Sequence, residues 1–433
     1  MTRKGVWGLQ GVRDKYLQSL WVQSKKMWAI GSSAAMGDTQ MFGKPTNGDP
    51  TSIRKTTPAS AAGAKDWDMM SCSNMSNQHG YYREMGTDDW YVMGRQVNGS
   101  LGLNSSGSEK EDTPQAFPAG TGKTWATFAS SRDVSLGTKT DGTLWAWGKN
   151  DDGELGQNDR TFRSSPVQIP GTNWGTTFGS VMSAVYPAKQ VGAIKQDGTM
   201  WTWGNGGALL GLNDNNDRSS PTQVGNPGET AWSRWHTGMG GAIKSDGTCW
   251  VWGNGWMGAL GLNQGNGNGG NPGGDYSSPK QIPGTTWKHV SMGEVNRFAV
   301  KTDGSLWVWG WNNYGNLGLN TRGVNAPYWG TQYSGSRSSP TQLMADQSWS
   351  QVDVTSSGAI AINTDGELWG WGVNNGYYAG GTLGLGTSPS ADNINMSSPV
   401  QLSTTKFGTS DGEHMCGWYC WGMIQPAIPA ALE

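Results

Sequence analysis

Charge is scarce in this chain of 433 residues. Only 15% of them are Asp, Glu, Lys or Arg, and the formal net charge is −2. That leaves no basic footprint for a nucleic-acid backbone and no acidic tail. Histidine is scarcer still: His79, His236, His289 and His414 are the only four, and none falls in a metal-ligand or catalytic spacing. The four cysteines, Cys72, Cys249, Cys416 and Cys420, are scattered apart from the last pair. They read as buried free thiols, not a disulfide framework, and without a second Cys/His pair they make no zinc site. No stretch approaches the ~18 apolar residues of a membrane span. The N-terminus lacks the apolar core of a signal peptide. These gaps predict a soluble protein, made in a cytoplasm, with no cofactor, no metal, no catalytic set and no nucleic-acid partner.

What is abundant is glycine, at 68 residues, and tryptophan, at 26. Gly is costly inside helices and indoles suit pleated, half-buried surfaces, so the composition points to short strands and tight turns. The aromatic residues fall into a repeat: DGTLWAWG (141–148), DGTMWTWG (197–204), DGTCWVWG (246–253), DGSLWVWG (303–310) and DGELWGWG (365–372). A period of about fifty residues marks one supersecondary unit used many times.

Each unit opens with a Trp and a short alternating run, such as WKHVSMGEVNRFAVK from Trp287. An Asp-Gly turn follows, expected as type I′ with both residues at positive φ. The Trp-x-Trp-Gly strand comes next, with its two indoles on one face. The unit closes on Ser-Ser-Pro-x-Gln, beginning at Ser164, Ser219, Ser277, Ser338 and Ser397. Pro there suits an outer edge strand. The indoles are expected to pack between neighbouring units. The recurring Gln168, Gln223, Gln281, Gln342 and Gln401 are expected to bond a neighbouring unit's backbone.

Four short antiparallel strands per unit describe a propeller blade. The predicted fold is all-β: a seven-bladed β-propeller of four-stranded blades, its ring closed by pairing N- and C-terminal strands. Residues 21–60, with an outer run PTSI from Pro50, lack an opening strand. Residues 403–425 resemble one. The two would share a blade within a propeller domain of 21–433, leaving 1–20 as a docking segment. GVRDKYLQSLW (11–21) can form a short helix with Val12, Tyr16 and Leu20 on one side, the expected docking residues.

Long insertions fall between the third and fourth strands of three late units: 264–276, 321–337 and 386–396. They are expected on the face that also bears the Asp-Gly turns, presenting Tyr276, Tyr328, Trp329 and Tyr333 as ligand-binding residues. Tyr377 and Tyr378 are expected in a loop on the opposite face.

The pattern W-x-x-V-x-x-G, DG-x-L-W-x-WG-x-N-x-x-G-x-LG, P-x-Q resembles the regulator of chromosome condensation repeat over roughly residues 21–425. The resemblance implies a seven-bladed propeller. The unit at 67–116 departs most, since DDWYVMGRQVNGSLGLN (88–104) has no Trp-x-Trp. The opening GVWGLQGVRDKYLQSLW resembles the start of virion proteins of marine tailed phages that carry such repeats. This second resemblance implies a non-enzymatic virion protein, tail-associated, fibre or decoration. It would bind other virion proteins through its N-terminal segment and a host-surface glycan or protein through its loops. The alternative is a cellular scaffold or guanine-nucleotide exchange factor-like propeller that binds a protein partner.

Overall fold

A computed structural model describes residues 26–32, 54–60, 67–72 and most of 79–425. The larger stretches outside it are 1–25, 33–53, 61–66, 73–78, 118–124, 184–188, 236–239, 265–273, 322–334, 355–357, 374–394, 408–413, 417–419 and 426–433. Val12, Tyr16 and Leu20 therefore lie outside the described residues. So do Tyr328, Trp329, Tyr333, Tyr377 and Tyr378.

Every described strand pairs antiparallel in a four-stranded sheet. Blade 5 is representative. Strand A is Trp287–Met292, B is Asn296–Lys301, C is Leu306–Gly310 and D is Arg337–Leu343. The order across the sheet is the order along the chain. Such a meander forms because each strand is short and each corner carries turn residues. The A–B corner closes with Gly293 N–H donating to Asn296 O at 2.9 Å. Neighbouring A strands touch one another, as Trp287–Met292 does Trp349–Val354, so the A strands stand nearest the axis.

The expectation of a seven-bladed ring is corrected. Six blades are complete, chain-contiguous repeat units, spanning 67–116, 125–168, 174–223, 232–281, 287–343 and 349–403. They are not uniform either: in blade 3, strand A shrinks to Val181–Ser183, and its opening Trp174 forms only an isolated bridge to Lys195. The chain ends do not make another unit of this kind. They meet in a composite sheet of order Arg54–Ser60, Lys26–Ser32, Cys420–Gln425, His414–Cys416. Lys26–Ser32 runs against Cys420–Gln425 from the pair Lys26↔Gln425 to Gly31↔Cys420. The C-terminal piece gives two strands, not one, and the outer strand lies at Arg54–Ser60, not at PTSI. His414–Cys416 sits beside the A strands of blades 6 and 1, which places this sheet between them. The physical reason is compositional: neither end carries a whole repeat, so each supplies two strands.

The Asp-Gly corner also differs from expectation. Gly142, Gly198, Gly247, Gly304 and Gly366 have φ of +77 to +81°, whereas the aspartates before them keep negative φ. In blade 2, Gly142 N–H donates to Lys139 O and Lys139 N–H to Thr143 O, both at 2.9 Å. This is a type I turn closed by a glycine bulge, not type I′. The corner joins strands B and C. The C–D connections therefore leave from the opposite face. The insertions and the Asp-Gly turns do not share a face, and Tyr377 and Tyr378, which follow strand C Leu368–Gly372, belong to a C–D connection.

Candidate functional site

The repeated residues account for the scaffold first. At four of the five Asp-Gly corners the Asp carboxylate caps the residue two ahead, whereas at Asp365-Gly366 it is Asn363 Oδ1 that accepts the Glu367 N–H, at 2.8 Å. Asp303 Oδ1 accepts from Ser305 N–H at 2.9 Å and from Ser305 Oγ at 2.6 Å. Ser305 Oγ in turn accepts from Trp307 Nε1 at 2.9 Å. Asp141, Asp197 and Asp246 do the same with Thr143, Thr199 and Thr248. Those hydrogen bonds hold all four carboxyls below the usual Asp range, since they favour the charged form. The first indole of each pair thus stays within its own blade, half-buried against the opening Trp. A lysine lies over both: Lys301 Nζ is 4.7 Å from the Trp287 ring and 4.5 Å from Trp307.

Only the second indole bridges blades. Trp203, Trp252 and Trp309 are fully buried, and their Nε1 atoms donate to Glu154 O, Leu209 O and Ala259 O of the preceding blade at 2.7, 2.7 and 3.1 Å. Beside this contact runs a second tie. The Asn after each Leu-Gly, at positive φ, donates its backbone N–H to the first Ser of the next blade's Ser-Ser-Pro. Asn158 to Ser219 O measures 2.7 Å and Asn320 to Ser397 O 2.6 Å. The Asn side chain accepts from the second Ser, as Ser398 Oγ to Asn320 Oδ1 at 3.2 Å. The recurring Gln is not the link between blades: Gln223 and Gln401 donate within their own blades, to Asn226 O and Ser403 O.

This latch fixes the C–D corner, and four positions of the corner change character from blade to blade, three of them at least partly exposed and the fourth buried. In blade 2 those positions are Lys149, Asp151, Asp152 and Glu154. Lys149 Nζ pairs with Asp151 at 2.6 Å, and Lys189 of blade 3 pairs with Asp152 at 2.6 Å. Arg160 reaches Asp217 of blade 3 at 3.1 Å. Burial pushes the Glu154 carboxyl up, although it accepts the Asp152 N–H at 2.7 Å. The Asp152 hydrogen bond raises Lys189 in turn. Phe162 stands 42% exposed between Arg160 and Arg163.

In blade 4 the same four positions are Asn254, Trp256, Met257 and Ala259, and in blade 5 Trp311, Asn313, Tyr314 and Asn316. Trp256 is 40% exposed and begins a 3-10 turn, Trp256–Gly258. That turn lies against strands C and D of blade 5. Trp311 is the residue after that strand C, and its ring meets Tyr314 edge-on at 5.4 Å. Of the expected ligand residues, only Tyr276 is described. It opens strand D of blade 4, half-buried, its hydroxyl donating to Gln264 Oε1 at 2.8 Å. It is a strand residue, not a loop tip. Phe162, Trp256, Trp311 and Tyr314 were not singled out in the sequence. The signal was available: aligning the units on Asn-x-x-Gly-x-Leu-Gly exposes the exchange of charge for aromatic rings.

A Ser–His–Asp set does occur between blades 5 and 6, but not as a triad. His289 Nε2 lies 2.9 Å from Val352 O and 3.9 Å from Asp353 Oδ1. Ser291 Oγ faces Asp353 at 3.4 Å, not the imidazole, so the base that would activate it is out of line. His79 is fully buried on Ser135 Oγ at 2.7 Å. Among the described residues no group of three or more His, Cys, Asp or Glu is placed to hold a metal ion, and no helix is long and apolar enough to cross a membrane.

Class follows from this geometry: a β-propeller whose blades repeat one motif and interlock through it. The family model of the Regulator of chromosome condensation (RCC1) repeat matches residues 141–178 and 303–362. The chain is 26% identical to the ultraviolet-B receptor UVR8 of Arabidopsis thaliana over 286 residues, covering 65% of this chain and 58% of that protein. It is 29% identical to the mitochondrial RCC1 domain-containing protein RUG3 of the same plant over 246 residues, 54% of this chain and 51% of that one. The chain thus spans little more than half the length of these relatives. Among solved structures, human WBSCR16 superposes with a TM-score of 0.70 at 16% identity, covering 94% of this chain and all of that one. Saccharomyces cerevisiae Prp20p, described with its binding to Gsp1p and histones, gives 0.67 at 17% identity, covering 95% and 93%. At such identities the likeness concerns the fold.

Proposed function

We propose that this protein is a non-enzymatic propeller scaffold that binds a protein partner on its C–D face. One observation carries the reading: the latch holds the backbone of that face alike from blade to blade, while the side chains displayed on it change character. A surface that folding does not dictate is free to serve recognition. The charged arc of blades 2 and 3 has the make-up of a protein contact, an exposed Phe162 on a corner that also carries Arg163 and Arg160, which reaches Asp217 and the Asp151 carbonyl. With both signs interspersed and a net charge of −2, it suits a folded protein of mixed charge better than a nucleic-acid backbone. The relatives, cellular proteins of plants, favour this scaffold reading. The virion reading rested on the resemblance of residues 5–21, outside the described structure, together with composition, and no described residue favours it.

The test is cross-linking capture from the source cells with three baits: wild type, Arg160→Glu/Phe162→Ala, and Asp303→Asn on the opposite face. A partner held by the first and third and lost by the second supports the reading. A partner held equally by all three removes this arc from it.

A further inference from the structure

We propose a second site on the same face: the aromatic arc of blades 4 and 5, centred on Trp256 and the Trp311–Tyr314 pair, binds a neutral carbohydrate chain. The argument starts from what replaces what. At the corner positions where blade 2 sets Lys149, Asp151, Asp152 and Glu154, blades 4 and 5 set only amides, aromatics, Met257 and Ala259. Residues 254–264 and 311–321 contain no charged side chain at all. The latch beneath is unchanged: Gly258 and Gly315 press on Ser338 and Ser397 just as Gly153 presses on Ser219. Folding therefore does not call for the rings.

Their placement suits a sugar. The 3-10 turn bearing Trp256 lies against strands C and D of blade 5, and Trp311 is the residue that follows that strand C, so both belong to the boundary between blades 4 and 5. Met257 within that turn takes φ +55°, a left-handed conformation that an unbranched side chain adopts only at a cost. Pyranose C–H faces are weakly positive and stack on the negative face of an indole. Sugar hydroxyls then need neutral donors and acceptors, which the exposed Asn254, Asn263, Gln264 and Asn320 supply. Two more are held in reserve. Trp311 Nε1 and Asn313 Oδ1 have no hydrogen-bond partner among the described residues, although both side chains are only half-buried. A turn of either side chain toward a bound hydroxyl satisfies an atom that otherwise goes unmet. A partner protein with a charged rim finds no counter-charge here, which is why carbohydrate is the better fit.

Affinity electrophoresis through gels containing dextran, a β-1,3-glucan or a β-1,4-mannan, with heparin as the charged control, tests the site. The full chain should be retarded by at least one neutral polysaccharide, with little dependence on salt. Trp256→Ala and Trp311→Ala should each weaken that retardation about tenfold or more, with melting temperatures near wild type. Trp256→Phe should keep part of it, and Phe162→Ala all of it. No retardation by any neutral polymer overturns the proposal. So does retardation that survives in the Trp256→Ala/Trp311→Ala double variant. If the double variant instead loses the captured protein partner, the arc is a protein surface and the carbohydrate assignment fails. Loss of partner capture in the Phe162 variant with sugar binding intact separates this site from the first.

Discussion

Blades 2 and 5 are built on one backbone and dressed in opposite chemistry. Both carry the Asp-Gly corner, the capped turn, the lysine laid over two indoles and the Asn-to-Ser tie to the next blade. Yet where blade 2 presents an ion-paired cluster, blade 5 presents Trp311, Asn313 and Tyr314. The difference teaches how the repeat divides its labour. Residues that meet the next blade recur because those contacts restrict what fits. Residues one or two positions away meet solvent and follow whatever the face must recognise.

The largest effect should come from breaking the shared part. Gly153 and Gly315 have φ of +87° and +79°, and a Cβ at either would stand 2.5–2.6 Å from the Cα of Ser219 or Ser397. Gly153→Ala and Gly315→Ala should each cost about 2–3 kcal/mol in chemical denaturation, and by similar amounts. Gly86→Ala is the control: its φ is +78° but nothing lies within 4 Å of a Cβ there, so about 1 kcal/mol is expected. A cost at Gly315 no greater than at Gly86 would mean that blade 5 is not latched as blade 2 is.

A smaller effect should appear in acid. Asp141 and Asp303 have folded-state values below the ordinary carboxylate range. A group depressed on folding contributes stability that is fully present above its unfolded value of about 3.9. That contribution is lost as pH falls through the lower folded value. Melting temperature followed from pH 5 downward should therefore fall less steeply in Asp303→Asn, which keeps the accepting oxygen but has no charge to lose. Asp141→Asn should match it, and the double variant should flatten the curve further. Parallel curves for wild type and variant would remove the turn carboxylates from acid sensitivity.

The smallest effect should come from exchanging the dress. Trp311→Lys with Asn313→Asp rebuilds the Lys149–Asp151 pair of blade 2 on the blade 5 corner. Stability should change by no more than about 0.5 kcal/mol, as for surface positions generally. A loss of several kcal/mol would show that the aromatic pair holds the fold together, and the two blades would then differ in scaffold as well as surface.

Much of this was legible before the structure, and some was misread for reasons that can be named. The Trp-x-Trp strand and the Ser-Ser-Pro edge announce themselves because every blade solves the same packing problem with the same residues. The faces were misassigned because WKHVSMGEVNRFAVK reads as one alternating run, although the corner at Gly293 splits it into two strands. With that corner hidden, the Asp-Gly turn and the insertions fell on one side. The partner of the recurring Gln was misjudged because an amide at a strand end says nothing about whether it reaches its own blade or the next. The first blade shows the limit of motif reading. It has no Trp-x-Trp, yet Tyr81 stacks on Phe128 of blade 2 at 4.5 Å and does the wedging with a different ring.

What the sequence determined by itself was the unit: the Trp-x-Trp-Gly strand, a glycine corner just before it and the edge position of proline. All of these depend on neighbours within a few residues. How the units meet was decided only in three dimensions: six whole blades with a composite sheet at the chain ends, and the second indole of each pair crossing to the previous blade. So was the boundary where the turn bearing Trp256 meets strands C and D of blade 5. Those contacts join residues some fifty positions apart or from opposite ends of the chain, and no local pattern states which of them will touch.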